Sequence, residues 1–192
     1  MHDIEPFFLW RDYYKAENDK WSPFYQRQYD EFSFTNAIYN YVIHPQWDDI
    51  GSDTLFIKIL YVNYDEAFAI IEMIGEWNDC IGNDIMFLKR DILDIMIDRG
   101  VRKFILIAEN VLNFHYDMDD YYAELYEDVE QGWVVITGLQ NHVAEEMKRY
   151  HLDHFLLFGE EFDLINWRTM TPENFYASIK SIIENKTLLL LN

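Results

Sequence analysis

Between residues 54 and 186 the spacing of apolar residues keeps changing period, and this alternation limits the fold more than any other property of the chain. "TLFIKILYV" (54–62) is rich in β-branched and aromatic residues and partly alternates. "AFAIIEMIGEW" (67–77) follows after the short polar turn "NYDE", so the two runs predict a β-hairpin. In "NDCIGNDIMFLKRDILDIMIDRG" (78–100) the period lengthens. Ile81, Ile85, Leu88, Ile92, Ile95 and Met96 recur at three and four, which stacks them on one helical face. Asn78 or Asn83 is placed to cap this helix and Gly100 to end it. "VRKFILIA" (101–108) is nearly all apolar, as in a strand covered on both faces. "DMDDYYAELYEDVEQG" (117–132) predicts a helix with acids in its first turn and Gly132 at its end. The strand "WVVITG", a helix in "NHVAEEMKRYH" capped by Asn141, and the strand "HFLLFG" (154–159) come next. A last helix begins with Thr171 at the cap and Pro172 at its first position, where a missing N–H costs nothing. The order β-β-α-β-α-β-α-β-α predicts a mixed sheet of about five strands with four helices, parallel except for the hairpin.

Pro, Gly, Ser and Asp cluster at 44–54, a composition break that divides an N-terminal arm (1–53) from an α/β domain (54–192). The arm is crowded with Tyr, Trp and Phe. Such residues suit either a partner surface or a cover over the sheet face that the helices leave open. Because so many exposed aromatics would aggregate, the cover is the expected arrangement. Half of all residues are hydrophobic, so 192 residues suffice for one sizeable core rather than a disordered chain.

A net charge of −20 without any Lys/Arg run excludes nucleic acid, whose phosphates need neutralising, and disfavours an anionic membrane surface. No apolar run approaches the ~20 residues of a membrane span, and "MHDIEPFFLWRDYY" lacks the basic start of a signal peptide. A cytoplasmic location is expected. One cysteine, Cys80, excludes an internal disulfide and a cysteine-based zinc cage. With no base beside it in sequence, it reads as a buried structural residue.

The strongest candidate site follows the 101–108 run. "AENVLNFHYD" offers Glu109, Asn110, Asn113, His115 and Asp117 beyond the carboxyl end of a parallel strand, where ligands tend to meet such sheets. These residues make either a polar pocket or a solvated loop of Asn and Asp turns. No histidine pairing at ligand spacing and no glycine-rich phosphate loop stand out, so neither metal nor cofactor is expected. Glu76 next to Trp77 is either an acid with a raised pKa or a capped strand–helix junction; the junction is expected. His44, Asp48, Asp49 and Asp53 read as a charged linker, since their spacing is not that of a calcium loop.

The hairpin ending "IIEMIGEW", the helix closed by "DRGVRKFIL", and "GWVVITGLQNHVAEEMKRYHLDHFLLF" together resemble the STAS domain, the fold of anti-anti-sigma factors of the SpoIIAA type. The whole chain is also similar to a family of bacterial proteins without an assigned role. The STAS resemblance covers residues 54–186 and implies a non-catalytic regulatory or scaffolding module that binds a protein partner. In that family a serine at the junction of third strand and second helix accepts phosphate. Here the matching stretch reads "HYDM" (115–118), and no Ser or Thr occurs between Thr54 and Thr137, so the phosphorylation switch is missing. The implied docking surface is the turn 109–122, with Glu109, Asn110, His115, Tyr116, Asp117, Asp119 and Asp120. Its acidity calls for a partner with a basic surface, or for self-association through the arm. The alternative is a small hydrolase or lyase using Glu109, His115 and Asp117, although no nucleophile–base–orienter constellation is assembled in the sequence.

Overall fold

The computed structural model describes residues 3–30 and 32–190. A small sheet of β1 (Asp3–Ile4), β2 (Ala37–Ile38) and β3 (Tyr41–Ile43) has the order β1-β3-β2. The central sheet contains β4 (Asp48–Asp49), β5 (Leu55–Asn63), β6 (Phe68–Asn78), β7 (Lys103–His115) and β8 (Trp133–Thr137), in that spatial order. β5 and β6 are the antiparallel hairpin, with Leu55 opposite Gly75 and Asn63 opposite Phe68. β6–β7 and β7–β8 are parallel. The fold is therefore the mixed five-stranded α/β arrangement that the period changes predict.

Its fifth strand is not the expected one. "HFLLFG" supplies one parallel bridge, Val135 to Leu157. The Leu157 N–H donates to Val134 O and its carbonyl accepts from Ile136, both at 2.8 Å, and the run goes no further. At the opposite edge, Asp48 and Asp49 pair antiparallel with Ile57 and Phe56. The expected charged linker is thus an edge strand. Asp48 is fully buried, 3.2 Å from Lys58 Nζ and 3.2 Å from Arg27 Nε, and it accepts the Tyr29 hydroxyl at 2.7 Å. Charge partners contributed by distant segments, invisible to local composition, make that burial tolerable.

α1 (Asp84–Phe87), a π-helical turn (Leu88–Leu93) and α2 (Asp94–Ile97) run on as one helix, and Gly100 follows at φ 94°. The π turn carries an extra residue, which rotates the buried face. Ile85, Leu88, Ile92 and Met96 are buried as expected, but Leu93 and Ile97 join them while Ile95 is exposed and Ile81 precedes the helix altogether. α3 (Asp120–Asp128), α4 (Asn141–Arg149) and α6 (Pro172–Leu190) match the remaining expected helices within a few residues. Gln140, not Asn141, occupies the cap of α4. Thr171 Oγ1 accepts from Asn174 N–H at 3.3 Å, the predicted cap of α6. One further short helix, α5 (Glu160–Asp163), was not expected; it packs Phe162 under the sheet.

One sheet face packs Ile57, Ile71, Leu106 and Ile136 against Leu88, Ile92, Leu125, Val143 and Met147 of the helices from α1 to α4. The other packs Leu60, Ile70, Ile105 and Val135 against Phe162, Phe175 and Ile179. The arm reaches both. Trp10 is buried on the second face and donates its indole N–H to Met170 O at 2.8 Å, while Ala16 and Phe24 belong to the first core. Each such large apolar side chain contributes roughly 1.5–3 kcal/mol when buried.

Candidate functional site

β7 runs to His115 rather than stopping at Ala108, so the stretch expected as a loop is largely strand. Its register against β6 shifts twice. Glu72 opposes Ile107 but Ile74 opposes Asn110; Gly75 opposes Val111 but Glu76 opposes Asn113. Each shift gives β7 one extra residue, which bends a strand and re-aims its side chains. Ala108, Val111 and Phe114 therefore point inward at intervals of three.

The two strands end side by side, Asn78 opposite His115, at a groove that also takes in Tyr39, Asp53, Thr54, Glu76, Cys80, Ile81 and Gly82. His115 Nε2 lies 2.5 Å from Glu76 Oε1. Cys80 is exposed at the rim and donates its thiol to Tyr116 O at 2.9 Å, which corrects the expectation of a buried cysteine. Just before it, the Asp79 N–H donates to His115 O at 2.9 Å, pinning the end of β6 to the end of β7. Thiol and imidazole make no hydrogen bond to each other among the described residues.

Beneath the groove lie two buried carboxylates. Asp79 accepts from Tyr122 OH at 2.6 Å, Trp77 Nε1 at 3.1 Å and Ile85 N–H at 2.9 Å. Burial pushes its pKa up to about 6 against the pull of these donors, with Asp84 adding to the rise. Asp84 Oδ2 accepts from Asn78 N–H at 2.7 Å and Thr54 Oγ1 at 3.0 Å. Its Oδ1 is buried with no hydrogen-bond partner among the described residues, and burial raises this carboxyl too. The indole of Trp77 thus serves Asp79 and not the adjacent Glu76. The acid with a raised pKa that the Glu–Trp pair hinted at sits two residues further on, inside the strand–helix junction.

The seven residues expected to form one surface separate into four places. Glu109 accepts from Trp167 Nε1 at 2.7 Å and Arg168 NH2 at 2.6 Å, facing the arm and the segment before α6. Arg168 NH2 also reaches Glu72 Oε1 at 3.5 Å, and Glu72 Oε2 accepts the Phe7 N–H at 2.8 Å. Asn110 lies half-buried within the sheet, opposite Ile74. His115 stands in the groove, and Asn113 nearby donates to Tyr39 OH at 3.0 Å. Tyr116, Asp117, Asp119 and Asp120 form the rim leading into α3. Glu109, His115 and Asp117 therefore do not converge in one pocket, and the hydrolase arrangement built on them is not assembled.

On the rim, the Tyr116 ring stacks on Tyr150 with centroids 4.2 Å apart and planes 13° from parallel. Burial raises the Tyr116 pKa first, and the charges of Asp119, Asp117 and Asp120 raise it further. Those three carboxylates are exposed and enter no ion pair among the described residues. Two apolar side chains stand out on either side of the Cys80–Tyr116 contact: Ile81 at 89% exposure and Met118 at 46%. The three-and-four spacing places Ile81 on the helix face, but it lies before Gly82 and before the helix start at Asp84, which leaves it exposed.

Among the described residues no helix is long and apolar enough to cross a membrane. No family model matches the chain, and no curated protein matches it. Five solved chains match. One is a Thermotoga maritima protein described as a candidate anti-sigma factor antagonist. It is 12% identical, with a TM-score of 0.39 over 53% of this chain and 82% of its own. At that level the likeness assigns no role to any residue of this chain.

Proposed function

We propose that this chain is a non-catalytic regulatory or scaffolding module that binds a protein partner through the rim of the β6–β7 groove. The observation that carries the reading is the nearly fully exposed Ile81, next to the Cys80 whose thiol donates to Tyr116 O, with three exposed carboxylates following Tyr116 that enter no ion pair among the described residues. Lone exposed apolar residues are ordinary, but Ile81 and Met118 lie within two residues of the Cys80–Tyr116 contact, and Met118 stands between Asp117 and Asp119 in sequence. A surface of that kind is complementary to a segment that presents Lys or Arg around a small apolar anchor. Tyr116 and Tyr150, stacked on each other, give the rim a rigid floor.

The test uses the full chain as bait in a lysate of its source organism, with wild type, Asp117→Lys/Asp120→Lys and Ile81→Ser in parallel. Charge reversal is expected to reduce retention of the specific partner by about tenfold or more, and wild-type retention should fall as salt shortens the screening length below ~8 Å. Ile81→Ser should weaken retention at every salt concentration, because it removes apolar burial without changing the charge. A partner held equally by all three proteins would place the interface elsewhere and end this reading.

A further inference from the structure

We propose that His151, Asp153 and His154 form a binding site for a divalent late first-row transition cation, zinc or copper, on the turn that follows α4. Their ligand atoms lie within 4.8 Å of one another, and all three side chains are exposed to solvent. The backbone produces this grouping. Leu152–His154 is a 3-10 turn, closed by His154 N–H donating to His151 O at 3.1 Å. That bond folds residue 154 back over residue 151, and the two imidazoles come to one side. Their ring centroids are 5.6 Å apart and their planes 14° from parallel. Leu152, between them in sequence, is fully buried and anchors the turn to the core.

His151 occupies a left-handed conformation at φ 59°, at a helix end where glycine or asparagine is the cheaper residue. The imidazole thus stands at a position where capping alone favours no side chain. Two imidazoles and one carboxylate suit Zn²⁺ or Cu²⁺ and are poorly matched to Mg²⁺ or Ca²⁺, which want oxygen ligands. In a tetrahedral zinc site with bonds of ~2.0–2.1 Å, donor atoms sit about 3.4 Å apart. All three side chains are exposed and so free to rotate as the donors close from 4.8 Å. Three protein ligands leave at least one position open to water or to a donor from another molecule.

This site is independent of the proposed docking rim and is tested by metal binding alone. The full chain, stripped with chelator and dialysed, is titrated with zinc by calorimetry in excess magnesium, which occupies sites made only of carboxylates. One equivalent is expected to bind, with affinity at least about tenfold weaker in His154→Ala and in His151→Gly, and unchanged in His142→Ala. Cobalt should give visible d–d absorption in wild type that the double variant His151→Gly/His154→Ala lacks. His151→Gly suits the left-handed backbone, so its thermal melt without metal should match or exceed wild type, and lost binding cannot then be ascribed to misfolding. Absence of a stoichiometric zinc heat in wild type overturns the proposal. So does zinc affinity that survives in the double variant, because the many carboxylates of this acidic chain would then be the ligands.

Discussion

Gly75→Ala is expected to remove about 3 kcal/mol or more of folding stability, a large share of the ~5–15 kcal/mol typical of a domain. Gly75 sits at φ 121°, and a Cβ there would lie 2.1 Å from Thr54 O and 2.4 Å from Ile38 Cδ1. The isoleucine tip can swing aside. The Thr54 carbonyl cannot, because it accepts the Glu76 N–H at 2.8 Å and Thr54 leads directly into β5. The backbone strain alone costs roughly 1–3 kcal/mol, and moving the carbonyl breaks the bond that sets the start of the hairpin. The same residue borders the second register shift of β7, so the substitution should also disturb the approach of Glu76 to His115. Urea unfolding of wild type and variant, compared at matched slope, measures the loss. A cost below about 1 kcal/mol would mean that the 52–54 turn yields freely and that Gly75 does not set this geometry.

Stability is expected to rise as pH falls from 8 to 5, against the usual direction for a protein rich in carboxylates. Glu72 is nearly fully buried, and its pKa is pushed up to about 7 by burial; Phe7 N–H and Arg168 pull it down only partly, and Glu109 adds to the rise. Asp79 is raised to about 6, also chiefly by burial. A carboxyl with a folded pKa above its unfolded value binds its proton more tightly in the native state. Its contribution is complete below the unfolded pKa near 4 and is lost as pH rises through the folded value. For Glu72 this amounts to about 2–3 kcal/mol between pH 8 and 5, with about 1 kcal/mol more from Asp79. Relief of the −20 charge acts in the same direction, so a variant separates the causes. Glu72→Gln keeps the shape and the acceptor for Phe7 N–H. It should exceed wild type by about 2 kcal/mol at pH 8 and converge with it near pH 5. A wild-type profile that is flat or falls toward pH 5, or a variant with an unchanged pH slope, would show that Glu72 is ionised in the folded protein at little cost.

What could be read in the sequence was whatever rests on a residue's near neighbours along the chain. The β5–β6 hairpin, the helix beginning at Pro172 and the glycine that ends the 84–97 helix follow from side-chain period, capping chemistry and allowed φ, all set within a few residues. The acids of the rim, Asp117, Asp119 and Asp120, were legible for the same reason, because acids opening a helix need no distant partner. The extension of β7 was not. Its two extra residues put Ala108, Val111 and Phe114 at spacings of three, which match neither a regular strand nor a helix until β6 is alongside. Asp48 looked like linker because Lys58, Arg27 and Tyr29, which make its burial tolerable, come from other segments. Glu109 looked like a partner for His115, yet Trp167 and Arg168 hold it beside Glu72, six residues along the strand from His115, which pairs with Glu76 instead. The pairing of His151 with His154 was not legible either, since a spacing of three brings imidazoles together only once the turn pinned by Leu152 folds one over the other. Local period is a property of the chain alone. Register, burial of charge and the side to which a polar residue turns are settled by hydrogen-bond and ion-pair partners dozens of residues away, and only the folded structure supplies those.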